Sequence, residues 1–219
     1  MRIDILKRLP RRSISLHILP TGELEVRAPK YMPEFFIRQF VASKQDWIDN
    51  TRRRLASVPK KKERVYEEGE LFRLGGKDYT LHLTDGSAIV LTPSRIFFPK
   101  KFLAKPKYHM EQFCRKYAKE FLTKRVSFFS EKMKVTYRRV SIRDTSSRWG
   151  SCSSTGTISF SYRLILAEIS IIDYVVIHEL AHITHPHHRL SFWARVGEFY
   201  PEYASARTWL RKNGHTLVL

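Results

Sequence analysis

The chain has 219 residues, 42% hydrophobic and 13% aromatic, and its 40 lysines and arginines against 21 acidic residues give a formal charge of +19. That apolar content excludes a disordered chain and suffices for one domain with an appendage or for two small domains. Only Cys114 and Cys152 are present, no apolar run reaches membrane-spanning length, and the basic start MRIDILKRLPRRSIS lacks the apolar core of a secretory signal, so a reducing cytoplasm is expected.

Residues 1–29 alternate in three extended runs, RIDILKRL, SISLHIL and ELEVRAP, the last two joined as a hairpin at Thr21-Gly22. From Pro33 to about Ala56 the spacing predicts one helix with Phe36, Phe40, Trp47 and Ile48 inward. SVPKKKER reads as a charged connector. Strands return in LFRLGG, KDYTLHL, SAIVLTP and RIFFPK, punctuated by Gly75-Gly76 and Asp85-Gly86. A long helix is expected over about 106–134, with Met110, Phe113, Tyr117 and Phe121 on one face. VSIR, the RWGSC loop, the strand-like GTISFSYRLIL and three helices complete the chain. This order predicts an α+β protein: a β-rich region with one helix over 1–104, then an α+β domain over 105–219.

The chemistry concentrates in HELAH, residues 178–182. On a helix, positions i and i+4 stack His178 over His182 on one face, where two neutral imidazoles can share a Zn²⁺. Glu179 beside them is placed to act as general base toward a metal-activated water. Upstream, Ser170 and Asp173 form an S-x-x-D capping box that predicts the helix start. Ile172, Val175, Val176, Leu180 and Ile183 follow at three- and four-residue steps, as on a buried helix.

A catalytic zinc site keeps three protein ligands and leaves a position for water. His188, six residues after His182, has the spacing of the third histidine in H-E-x-x-H-x-x-G-x-x-H sequences, although His185 stands where that pattern has glycine. His185 and His187 are the rivals, and Glu198 or Glu202 would suit a two-histidine, one-carboxylate site. Glu202, following Pro201, reads better as an acidic residue at a helix start, and Glu198 as a group steadying a ligand from behind. Five of the nine histidines fall within 178–188, a density that packing does not explain; His17, His82, His109 and His215 read as ordinary surface or core residues.

The segments RWGSC (148–152), GTISFSYRLIL, DYVVIHELAHI, His188 and Phe192-Trp193 resemble the YgjP-like metallopeptidase family, itself similar to SprT-like and other zincin proteases. The resemblance extends through RVYEEGELFRLGGKDYTLHL (64–83) and the Trp47-containing segment, and so covers most of the chain. It implies a zincin-like domain and a zinc-dependent hydrolase with His178, His182 and His188 as ligands and Glu179 as base. In zincins the strand before the metal helix edges the cleft and can pair with an extended peptide. GTISFSYRLIL, with Ile158, Phe160, Tyr162 and Leu164 alternating against Ser159, Ser161 and Arg163, reads equally well as such an edge or as an ordinary half-buried strand.

Around this centre, Gly150 allows close backbone approach near the site. Arg148 could hold an oxyanion or a phosphate, with a structural salt bridge slightly favoured; Tyr162 and His187 are further candidates for contacting the substrate or transition state. Cys152 reads as a small packing group. The most direct function is a zinc metallopeptidase acting on protein or peptide. The alternatives are a metal-dependent nucleoside triphosphate pyrophosphatase or phosphohydrolase, and a nucleic-acid-associated module whose metal is structural. Basic clusters at Lys7–Arg12, Arg52–Arg54, Lys60–Arg64 and Lys100–Lys107 predict non-specific, salt-dependent binding of nucleic acid or other polyanions.

Overall fold

The computed structural model describes residues 3–19, 21–57, 64–145 and 148–219. They form two compact units, residues 1–62 and 63–219. The basic run Lys60–Lys62 of the connector lies outside the described residues.

In the first unit, β1 (Ile5–Leu9), β2 (Ser15–Ile18) and β3 (Leu24–Pro29) form a sheet in the order β1-β3-β2. β2 and β3 make the expected antiparallel hairpin, while β1 adds in parallel to the other side of β3. Leu24, Val26 and Ala28 alternate along β3 into a core shared with Ile37, Val41 and Ile48. The single expected helix is two, α1 (Glu34–Ala42) and α2 (Gln45–Ser57), separated where the Ser43 hydroxyl donates to the Phe40 carbonyl at 2.8 Å. The inward residues differ too: Phe36 is 55% and Trp47 46% exposed, because the sheet accepts the aliphatic i, i+4 pair Ile37 and Val41.

The second unit contains a four-stranded sheet, β4 (Leu71–Leu74), β5 (Lys77–Thr84), β6 (Val90–Leu91) and β7 (Arg95–Pro99), in the order β4-β5-β7-β6. The turn between β4 and β5 is Gly75-Gly76, with φ of +59° and +83°, the left-handed pair that a tight hairpin requires. α3 (Pro106–Lys132) follows, presenting Met110, Cys114, Ala118, Leu122, Val126 and Phe129 as one buried stripe. Phe113, Tyr117 and Phe121, expected on one face with Met110, are only partly buried and stack in series beside that stripe. Because the four-stranded sheet and α3 bury their apolar faces in the same cluster, residue 104 falls inside this unit, and the boundary expected there moves to 62.

A second sheet, β8 (Arg139–Arg143), β9 (Gly150–Cys152) and β10 (Thr157–Ser161), has the order β8-β10-β9. β10 is therefore central, parallel to β8 and antiparallel to β9, and the edge reading of this strand does not hold. It also ends at Ser161, and Tyr162–Leu166 turn into a 3-10 helix. Three helices close the chain: α4 (Ile169–Ala181), α5 (Leu190–Phe199) and α6 (Tyr203–Asn213). α4 starts two residues earlier than its expected cap: Glu168 is the N-cap, without a side-chain cap bond. Asp173 does not cap the helix but receives two bonds from Arg125 of α3 at 2.7 and 2.6 Å.

Candidate metal centre

α4 is buried on nearly every side, through Ile171, Ile172, Tyr174, Val175, Val176, Ile177, Leu180 and Ala181, so its last turn is held rigidly in the core. His178 and Glu179 lie in that turn and His182 is the C-cap residue. The following segment folds back so that Nε2 of His188 comes within 3.1 Å of Nε2 of His178. His178, His182 and His188 each offer a nitrogen, all within 4.8 Å of one another; among the described residues no cysteine or carboxylate joins them. His188 is exposed, so the group opens to solvent on that side.

The electrostatics fit a cation. Burial above all, then His182, His188 and Arg207, pushes His178 down to about 3, so the ring is neutral at physiological pH. Burial likewise lowers His182, against the contrary effect of its hydrogen bond to the His185 carbonyl. That bond, 3.1 Å from Nδ1, places the ring proton on Nδ1 and frees the Nε2 lone pair. His178 has no such arrangement: its Nδ1 is buried without a hydrogen-bond partner and its Nε2 faces another imidazole. Three imidazoles converging on one point are the donor set of a divalent transition metal.

Glu179 is 5% exposed, and burial pushes its carboxyl up to about 8, with Arg148 pulling the other way. It stands against β9, where a Cβ on Gly150 would lie 2.6 Å from its Cγ and Oε1. The close backbone approach expected at Gly150 is thus directed at the carboxylate.

The remaining candidates are dispersed. The ring of His185 bonds Thr184 at 2.9 Å, and His187 is exposed, neither joining the three histidines. Glu198 is no support for a histidine: it pairs with Arg195 at 2.7 Å on the surface of α5, one helical turn having turned it outward. Glu202 is the N-cap residue of α6. Tyr162 is 2% exposed beneath the guanidinium groups of Arg115 and Arg163, 4.6 and 5.2 Å from its ring centre. Arg148 is exposed and forms no ion pair with a described residue, so the salt bridge slightly favoured from sequence is not made. Cys152 is partly buried, its thiol raised by burial and then by the charge of Glu179, which suits packing and not reactivity.

The family-model comparison settles the affiliation: a model described as YgjP-like, metallopeptidase domain, matches residues 12–213. The chain belongs to the YgjP-like family. A solved structure to which this YgjP-like chain is similar is the crystal structure of the metallopeptidase zymogen of Pyrococcus abyssi abylysin, at 22% identity and a TM-score of 0.38, covering 41% of this chain and 93% of that one. No curated protein matches.

Sequence reasoning missed three features of the YgjP-like centre. Tyr174, one turn before His178 on α4, packs its ring edge-on 5.8 Å away; the i, i+4 spacing was a signal that could have found it. Phe192 lies 4.5–4.9 Å from all three histidine rings and Trp193 flanks two, so α5 supplies an aromatic wall. Arg207, from α6, covers Trp193 at 5.0 Å, and no local pattern announces it.

Proposed function

We propose that this YgjP-like protein is a zinc-dependent peptidase of the cytoplasm, using His178, His182 and His188 as metal ligands and Glu179 as proton-transfer group. The carrying observation is the three-imidazole group with no fourth protein ligand among the described residues, since a structural site would close all four positions. Zinc is favoured by the family's metallopeptidase description, and the all-imidazole set suits it as it suits other divalent transition metals. Bound there, such an ion supplies Lewis acidity, polarising a carbonyl oxygen and acidifying water.

The chain's own residues supply the rest. The aromatic wall of Tyr174, Phe192 and Trp193 fixes the histidine rings and keeps their surroundings of low polarity, which strengthens electrostatic interactions within. Glu179 is suited to both halves of a proton shuttle. Buried beside the histidines, with the Arg148 charge favouring its ionised form, its carboxylate can take a proton from the attacking water and return it to the leaving amine. Arg148, which forms no ion pair among the described residues and acts on Glu179 through its charge, is placed to contact the substrate. The charge of +19 supports weak, salt-dependent association with polyanions alongside this activity.

The test compares zinc-loaded protein, its Glu179→Gln variant and an EDTA-treated sample on a denatured protein, a peptide library and nucleoside triphosphates. Peptide cleavage by the zinc-loaded parent alone, with the variant retaining metal but slower by roughly a factor of hundreds or more, is expected. Phosphate release without peptide cleavage would replace the peptidase reading with a phosphohydrolase.

A further inference from the structure

Behind the Gly150 wall, the end of the β8-β10-β9 sheet opens into a cavity of about 350 Å³. Two arginines line it, Arg143 and Arg148, with three hydroxyl residues, Thr145, Ser151 and Ser159, and with Gly150 and Phe160. Strand register explains the convergence. Ser151 pairs directly with Ser159 across β9 and β10, and Arg143 lies two residues beyond Ser141, the partner of Ser159 on β8. Directly paired residues, and residues two apart on a strand, share one face of a sheet. Thr145 and Trp149 are tied to the end of β10. Ser161 donates its hydroxyl to the Thr145 carbonyl at 3.1 Å and its amide to the Trp149 carbonyl at 2.9 Å, and the Thr145 hydroxyl donates to the Arg148 carbonyl at 2.8 Å.

The charge of this cavity is uncompensated. Asp144, the acidic residue of the loop, is engaged by Arg115 at 2.9 Å and by Arg163 at 2.8 Å. Arg143 and Arg148 are exposed and, among the described residues, form no ion pair; no carboxylate lines the cavity. Two guanidinium groups, with the hydroxyls of Ser151 and Ser159 beside them, line one concave space and offer forked, charge-assisted donors to an anionic oxygen group, while the Thr145 hydroxyl is spent on the Arg148 carbonyl. A solvated basic surface needs neither the concavity nor the hydroxyls. The volume is at the low end for a ligand pocket, which suits one side chain.

We propose that this cavity is a substrate subsite for a carboxylate, the side chain of an aspartate or glutamate close to the scissile bond. The identity of the substrate rests on the peptidase reading above; the anion site itself does not. A phosphate group shares the same chemistry, so the test separates the two sources.

Zinc-loaded Glu179→Gln protein is titrated with fluorescent octapeptides that differ only in carrying glutamate or glutamine at one position, scanned along the peptide, with a nucleoside triphosphate as competitor. At one position the glutamate peptide is expected to bind at least tenfold more tightly. Adding Arg143→Gln and Arg148→Gln should reduce that preference below twofold. Adding Arg211→Gln and Lys212→Gln instead, which removes the same charge from α6, should leave it intact. Equal binding of the pair at every position, or equal loss in the α6 control, overturns the subsite. Tighter binding of the nucleoside triphosphate through the same two arginines overturns the carboxylate in favour of a phosphate. The zinc-loaded parent is assayed for cleavage in parallel. A binding preference without cleavage of any peptide sinks the peptidase reading and keeps the anion site, whereas cleavage with no preference does the reverse.

Discussion

The backbone of Gly150 lies against Glu179 so closely that a Cβ there would stand 2.6 Å from both Cγ and Oε1 of the carboxylate side chain. Gly150 is paired with Phe160 in the sheet, so its backbone cannot retreat without breaking the β9–β10 ladder. Gly150→Ala should therefore displace Glu179 and not the strand. Peptide hydrolysis is expected to fall at least tenfold, about 1.4 kcal/mol of activation free energy. Zinc content and melting temperature should stay near those of the parent. An alanine variant with parental kcat would show that this contact does not position the carboxylate.

Metal removal and the third histidine make a second test. An ion that binds only the folded chain stabilises it by about 2.7 kcal/mol at a hundredfold excess over Kd. For a chain of this size that raises Tm by roughly 5–10 °C. His188 is exposed, so His188→Ala should leave the metal-free Tm almost unchanged while removing most of the zinc-dependent rise. His187→Ala, outside the histidine group, should keep the rise. A full zinc response in the His188 variant, read by differential scanning calorimetry, would exclude His188 as a ligand.

Arg125 and Asp173 join α3 to the metal helix through two bonds of 2.7 and 2.6 Å, and both side chains are largely covered, at 26% and 16% exposure. Burial raises the Asp173 carboxyl despite Arg125, so the lost hydration of the carboxylate outweighs its attraction to the guanidinium. Asp173→Ala, which strands Arg125 against Phe128 and Phe129, should destabilise by about 2–3 kcal/mol. The double variant Arg125→Met, Asp173→Leu should lose less than that single change. Urea unfolding checks the order of the two, and the reverse order refutes the argument.

Acid should act on the first unit through Glu25. This residue of β3 is 2% exposed between Lys7 and Arg27, and the hydrogen bonds from Lys7 first and Arg27 next hold its carboxyl below the usual 4.5. A depressed folded pKa means that the unfolded chain takes up the proton first as pH falls. The stabilisation is therefore complete above about 4.5 and is lost as pH drops through the folded value. Glu25→Gln should be less stable than the parent at pH 7, and its Tm should fall less steeply from pH 5 to pH 3. Parallel pH profiles for the two proteins would exclude Glu25 as a source of the acid sensitivity.

Spacing along the chain by itself determined the pair of His178 and His182 with Glu179 between them, because a helix repeats every 3.6 residues and the motif needs nothing beyond one turn. The β2–β3 hairpin, the glycine turn at 75–76 and the extent of α3 were legible for the same reason: each answers to backbone geometry within a few residues. The position of β10 in the middle of its sheet was not, since an alternating strand looks alike at an edge and at a centre, and only pairing with both β8 and β9 distinguishes them. Nor was the boundary at 62, which depends on which apolar faces share a core across more than a hundred residues. The six-residue step from His182 already pointed to His188, but only tertiary structure left His185 and His187 outside the group, turned Glu198 outward to Arg195, and set Gly150 against Glu179. Those relations join segments whose separation in sequence carries no periodic signal, and they exist only once the core has fixed where each segment ends.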